Sequence, residues 1–151
     1  MTEENSSILI CDDHSPGQSA IKTILSKYSN INLTFVTTGK ECIDTYNDTF
    51  DLVLLDVRLP DTSGLEVLKK LISKDSNAII IIMTAYSTEE IIINSLRTGA
   101  FNYIKKPYDA PRFISAVKEA IEYKKDKKGV KKQKVPEVNT QKTDVHYNKH
   151  Y

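Results

Sequence analysis

Three carboxylates, a hydroxyl and a lysine stand at or just past the ends of short apolar runs in this 151-residue chain. Asp12 and Asp13 follow "SILIC", Asp56 closes "DLVLLD", Thr84 follows "AIIIIM", and Lys105–Lys106–Pro107 comes directly after "FNYI". Taken singly, each has a structural use. Asp13 can cap a helix, Asp56 can start a turn, Thr84 can be a strand-end hydroxyl, and Lys106 a solvated loop charge. Taken together they point to chemistry, because three clustered carboxylates repel one another. A divalent cation removes that repulsion, and hard oxygen ligands suit Mg²⁺, which keeps several of its waters.

The elements that must bring these residues together are legible as an alternation. The apolar runs at 7–11, 31–36, 51–56, 78–83 and 101–104 read as strands. Between and after them, segments of helical period run over 19–28, 39–48, 63–74, 87–99 and 110–125. Strands this apolar are covered on both faces, which calls for a parallel sheet with crossover helices. Five βα units in a row predict a doubly wound α/β domain within residues 1–125. In such a sheet ligands bind outside the carboxyl ends of the strands, where all five polar residues fall. Within the fourth helix, the period turns Leu96 and Ile92 or Ile93 towards the sheet and leaves Ile91 pointing to solvent. Gly99–Ala100 reads as that helix's stop.

Composition bounds the rest. A hydrophobic content of 40% and a charged content of 27% are ordinary for a soluble globular protein. The start "MTEENSS" lacks the basic and apolar regions of a secretory signal. The run Ala78–Met83 is far too short to cross a bilayer. These features predict a cytoplasmic protein with no membrane insertion. Cys11 and Cys42 sit inside apolar patterns without metal-ligand spacing and read as small buried hydrophobes. Residues 124–151 carry nine lysines against Asp126, Glu137 and Asp144, a net +6, which leaves −5 on residues 1–123. The basic segment 126–151 has no hydrophobic period and is expected to be a disordered tail or linker.

Four fragments carry a family likeness: "CDDHSP", "DLVLLDVRLPDTSGLEVL", "IIMTAY" and "GAFNYIKKPYD". Together, over about residues 7–124, they resemble the receiver domain of two-component response regulators, of the chemotaxis or sporulation-relay kind. The resemblance implies a flavodoxin-like fold, a five-stranded parallel sheet of order 2-1-3-4-5 with five helices. It implies that Asp56 is the phosphoacceptor, taking a phosphoryl group from a histidine kinase. Asp13 would ligate Mg²⁺ directly, Asp12 mainly through water, and Asp56 and the backbone carbonyl of Arg58 would complete the protein's share of the shell. Lys106, rather than its neighbour Lys105, would pair with the phosphoryl oxygens, and the Lys106–Pro107 bond would be cis. Thr84 would bond a phosphoryl oxygen, and Thr84 and Tyr103 would be the hydroxyl and aromatic switch positions. Arg58 and Tyr86, two residues past the phosphoacceptor and the switch hydroxyl, would flank the path of the dephosphorylating water. The partners implied are a sensor histidine kinase or phosphotransfer protein, and a downstream effector on the face of the fourth helix, fifth strand and fifth helix. The resemblance allows dimerisation on phosphorylation. Nucleic-acid binding is not expected of this chain alone.

Two unrelated readings are weighed by what they require. A Mg²⁺-dependent aspartyl-phosphate phosphatase of the haloacid-dehalogenase type wants a second aspartate two residues after its nucleophile, where this chain has Arg58. A flavodoxin-type redox domain wants a phosphate-cradling loop after the first strand, where "DDHSPGQ" places negative charge. Within the receiver reading, a stand-alone protein that catalyses only its own phosphorylation and dephosphorylation is preferred. The alternative is the N-terminal receiver of a longer transcriptional regulator.

Overall fold

Five strands and five helices alternate along the chain. A computed structural model describes residues 5–130, apart from Ser87. The strands are β1 (Ser6–Cys11), β2 (Ile31–Val36), β3 (Leu52–Asp56), β4 (Ile80–Thr84) and β5 (Asn102–Lys105). The helices are α1 (Ser15–Leu25), α2 (Gly39–Thr45), α3 (Gly64–Lys74), α4 (Glu89–Thr98) and α5 (Ala110–Val130). All strand pairs are parallel, and the order is β2-β1-β3-β4-β5. The expected fold class and strand order are therefore those observed.

The apolar runs are continuous because both faces of the sheet are covered. Side chains alternate across a strand, so Leu9, Cys11, Val53, Leu55, Ile80 and Ile82 pack with α2, α3 and α4 residues such as Cys42, Leu68 and Leu96. Ile8, Ile10, Leu52, Leu54, Ile81 and Met83 take the opposite face, against Ile21 of α1 and Phe113 and Val117 of α5. Every residue of β3 and β4 is buried. Burying one such aliphatic side chain contributes about 1.5–3 kcal/mol, so the sheet is a stiff base from which strand-end residues project. Cys11 and Cys42 are both free and buried, as their apolar surroundings imply.

Helices α1 and α5 reach beyond their expected bounds, the first for a local reason. Helix α1 starts at Ser15 rather than 19, with Pro16 in its first turn. Proline is tolerated there because its missing N–H is one of the donors a helix start leaves unpaired. No apolar period marks that polar turn. Helix α5 runs to Val130, past the expected end at residue 125. The remainder of the expected tail, residues 131–151, lies outside the described residues.

Ile91 is a correction. It is half-buried and packs, with Ile92, against the core. The face of α4 is rotated because Ser95 is fully buried, its hydroxyl donating to the Ile91 carbonyl at 2.7 Å. Residues 91 and 95 share a face at i, i+4 spacing, and a buried serine leaves no apolar mark in the sequence. Helix α4 ends as expected: Gly99, at φ 122°, donates its N–H to Leu96 and Ser95.

Candidate functional site

The carboxyl ends of β1, β3 and β4 and the residue after β5 converge. Asp12 follows β1 directly and is held by backbone geometry, its N–H donating to Val36 at 3.1 Å. Its side chain is fully buried, yet two hydrogen bonds satisfy it. The His14 N–H donates to Asp12 Oδ1 at 2.8 Å and Lys106 Nζ donates to Oδ2 at 3.0 Å. Asp56, the last residue of β3, accepts from the Arg58 N–H on Oδ1 at 3.2 Å and from Lys106 Nζ on Oδ2 at 2.7 Å. Asp13 is exposed beside them. One oxygen from each of Asp12, Asp13 and Asp56 lies within 4.8 Å of the others.

Lys106 thus bridges two of the three carboxylates, while Lys105 turns outward to solvent. The competition between the two lysines is decided by reach. Burial pulls the Lys106 pKa down, but the hydrogen bond to Asp56, followed by the neighbouring Tyr108 and Asp12, outweighs it and leaves the amine above its ordinary value. Lys106 is cationic across the physiological range. Its N–H donates to the Thr84 carbonyl at 2.8 Å, and its peptide bond to Pro107 is cis.

Thr84 is buried at the end of β4, and its Oγ1 accepts the Tyr86 N–H at 2.8 Å. Tyr103 is half-buried on β5 and packs against the core on the α3–α4 side. Arg58 and Tyr86 have parallel origins. Each is anchored by its own N–H to a site residue two positions earlier, Asp56 and Thr84 respectively, and their exposed side chains meet. All the residues expected to form the site are thereby placed around one edge of the sheet, with Tyr103 set into the adjoining core.

The loop after β3 is folded tightly. Gly64 donates to the Val57 carbonyl at 2.6 Å, and Arg58 and Ser63 form an antiparallel bridge. A Cβ on Gly64 would overlap the Asp56 carbonyl, so only glycine allows α3 to start that close to the strand. Two contacts to Asp12 were not legible in the sequence. Gln18 Nε2 donates to the Asp12 carbonyl at 2.6 Å, and a Cβ on Gly17 would lie 2.5 Å from Asp12 Oδ2. Both depend on the early start of α1.

A family model described as the response regulator receiver domain matches residues 8–118. Sporulation initiation phosphotransferase F of Bacillus subtilis is 36% identical over 124 residues, covering 80% of this chain and 97% of that protein. The transcriptional regulatory protein ZraR of Escherichia coli is 30% identical over 122 residues, again 80% of this chain but 27% of the relative. The chain therefore spans about a quarter of that relative's length. The crystal structure of a response regulator receiver domain protein (CheY-like) from Methanospirillum hungatei aligns with a TM-score of 0.74 at 28% identity. That alignment covers 82% of this chain and 99% of the other.

Proposed function

The chain belongs to the response regulator receiver domain family, and on that basis we propose that it accepts a phosphoryl group on Asp56 and thereby switches a partner-binding surface. One observation carries this assignment. Lys106 Nζ bonds both Asp12 and Asp56 while Asp13 stands within ligand range of the same oxygens. Three carboxylates and one bridging ammonium at a strand edge form a pocket that an anionic group enters only when further positive charge is present.

The donor set fits Mg²⁺. The carboxylates of Asp12, Asp13 and Asp56 offer hard oxygens close enough to share one ion, and the Arg58 carbonyl lies on the adjoining loop. When bound, Mg²⁺ supplies positive charge to the phosphoryl oxygens and offsets the repulsion between them and the carboxylates. The chain's own residues do the rest. An Asp56 oxygen attacks phosphorus in line as the bond to the donor's imidazole nitrogen breaks, and the imidazole leaves with that electron pair. Lys106, already at Asp56 Oδ2, pairs with the phosphoryl oxygens where negative charge collects. The Thr84 hydroxyl, which accepts from Tyr86, turns to donate to a phosphoryl oxygen. Tyr103 follows towards the space it leaves, altering the face of α4, β5 and α5.

The donor is a sensor histidine kinase or phosphotransfer protein, and an effector reads the α4–β5–α5 face, with dimerisation on phosphorylation a further readout of that face. The protein works in the cytoplasm and catalyses only its own phosphorylation and dephosphorylation. Among the described residues no helix is long and apolar enough to cross a membrane. A relative matched over 97% of its length and a relative matched over 27% of its length represent two settings for this chemistry, a stand-alone relay and the receiver of a longer regulator. The test is incubation with a small phosphodonor and Mg²⁺, followed by a phosphate-affinity gel. The wild type gives a shifted band that chelator abolishes and Asp56→Asn lacks; a full shift in Asp56→Asn refutes the proposal.

A further inference from the structure

We infer that Asp61 is a positioning residue for the phosphorylation site, fixing the loop after Asp56 by gripping the N-terminus of α2. This inference rests on the phosphoacceptor reading above. Asp61 lies at the tip of the loop between β3 and α3. Its Oδ1 accepts from the Gly39 N–H at 2.8 Å and its Oδ2 from the Lys40 N–H at 3.0 Å. Those are the first two residues of α2, whose N–H groups have no partner within the helix. The third, on Glu41, is taken by the N-cap Thr38 hydroxyl at 3.0 Å. The first turn is thus capped jointly, by its own cap and by a carboxylate 22 positions away.

The grip is closed by shape as well as by hydrogen bonds. A Cβ on Gly39 would stand 2.5 Å from the Thr62 methyl and 2.7 Å from Val67 Cγ2. The absence of a side chain there lets the loop and the start of α3 close onto the α2 backbone. The Cys11 thiol donates to the Thr38 carbonyl at 3.4 Å, so the strand leading into Asp12 and Asp13 joins the same junction.

Of the two segments that Asp61 joins, only one has ample alternative support. The far end of α2 is held to α3 by Lys74, whose Nζ donates to the Ile43 and Tyr46 carbonyls at 2.8 Å. The Tyr46 hydroxyl adds a bond to Asp75 at 2.7 Å. Among the described residues, the loop's own backbone closure lies at its base, through Gly64 to Val57 and the Arg58–Ser63 bridge, with Leu59 packed against the core. Releasing Asp61 therefore leaves α2 docked and loosens the loop tip. That loop presents the Arg58 N–H to Asp56 Oδ1 and carries the Arg58 carbonyl proposed as a metal ligand. Both the phosphoacceptor's orientation and the ligand set depend on where the loop sits.

The test compares Mg²⁺ affinity by calorimetry, and the Mg²⁺ dependence of phosphorylation by a small phosphodonor, in the wild type, Asp61→Ala, Asp61→Asn and Thr38→Ala. Asp61→Ala should raise the Mg²⁺ dissociation constant roughly 3- to 10-fold, less than the 10–100-fold typical of groups bonded directly to a ligand. Its phosphorylation should need correspondingly more Mg²⁺ to reach half of its own maximal rate. Asp61→Asn keeps one acceptor oxygen and should fall between the two; it also carries the comparison if Asp61→Ala does not fold. Thr38→Ala removes an α2 cap without touching the loop, so it should lower the melting temperature and leave Mg²⁺ affinity alone. Unchanged affinity in Asp61→Ala, or an equal loss in Thr38→Ala, overturns the inference while the phosphoacceptor reading stands. A wild type that binds no Mg²⁺ and takes no phosphoryl group sinks that reading and this inference with it.

Discussion

The guanidinium of Arg58 lies over the Tyr86 ring, with Cζ 3.6 Å from the ring centroid. The two residues come from different loops, and each is tied by its backbone to a residue of the site. An exposed cation–π pair of this kind is worth about 0.5–1 kcal/mol, enough to favour the stacked arrangement over separate solvated side chains. Water attacking a phosphoryl group on Asp56 must approach in line, opposite the Asp56 oxygen, and we propose that the pair crowds that approach. We expect Arg58→Asn to speed phosphate loss from the phosphorylated protein, and Arg58→Asn with Tyr86→Ala to speed it further. Phosphate release followed over time after removal of the donor is the measurement. Rates that stay the same, or fall, would show that the pair does not shield the site.

Lys106 is the cation the folded pocket already contains, and its loss should separate binding from chemistry. In Lys106→Ala the carboxylates of Asp12 and Asp56 lose the ammonium that bonds them both. With Asp12 fully buried, the metal-free variant should be destabilised, by up to about 3 kcal/mol, the low end for breaking a buried pair. Mg²⁺ should restore part of that stability, because its ligands remain. Phosphorylation should stay slow even at saturating Mg²⁺. Thermal melts with and without Mg²⁺, beside phosphorylation rates, check both halves. A variant that loses Mg²⁺ binding altogether would mean that Lys106 organises the ligands rather than the phosphoryl group.

Much of this site is written in the order of residues along the chain. Asp12, Asp13, Asp56, Thr84 and Lys106 each follow or close an apolar run, and a parallel sheet brings such ends to one edge. Both helical layers follow from runs too apolar to have a solvent face, whereas the strand order is implied by the family resemblance. What the pattern could not carry is pairing between loops. Asp61 sits in "LPDTSG" as an ordinary turn residue, and no periodicity points from it to Gly39. Ser95 is buried with its hydroxyl bonded to its own helix, so the apolar period alone points Ile91 to the wrong face. The start of α1 is polar, so its contacts to Asp12 through Gly17 and Gln18 were hidden with it.

The grip of Asp61 should also be visible on the acid side of the stability profile. Hydrogen bonds from the Gly39 N–H and then the Lys40 N–H hold its carboxyl below the usual carboxylate value. A depressed folded pKa adds stability that is complete above the unfolded value, ~3.9 for aspartate, and is lost as pH falls through the folded value. The melting temperature of Asp61→Asn should therefore lie below that of the wild type at about pH 6, and the gap should narrow towards about pH 3. Melts recorded in chelator exclude any contribution from metal. A gap that widens on acidification would reverse the sign of the Asp61 contribution.

The claim on which the rest depends is that Asp56 carries the phosphoryl group. Borohydride reduces an aspartyl phosphate to homoserine, and tandem mass spectrometry then locates the altered residue. After incubation with a phosphodonor and Mg²⁺, the protein should show homoserine at position 56, with Asp12 and Asp13 unmodified and no conversion in chelator. Conversion at Asp12 or Asp13, or none at position 56 in protein that has taken up phosphate, would contradict the account.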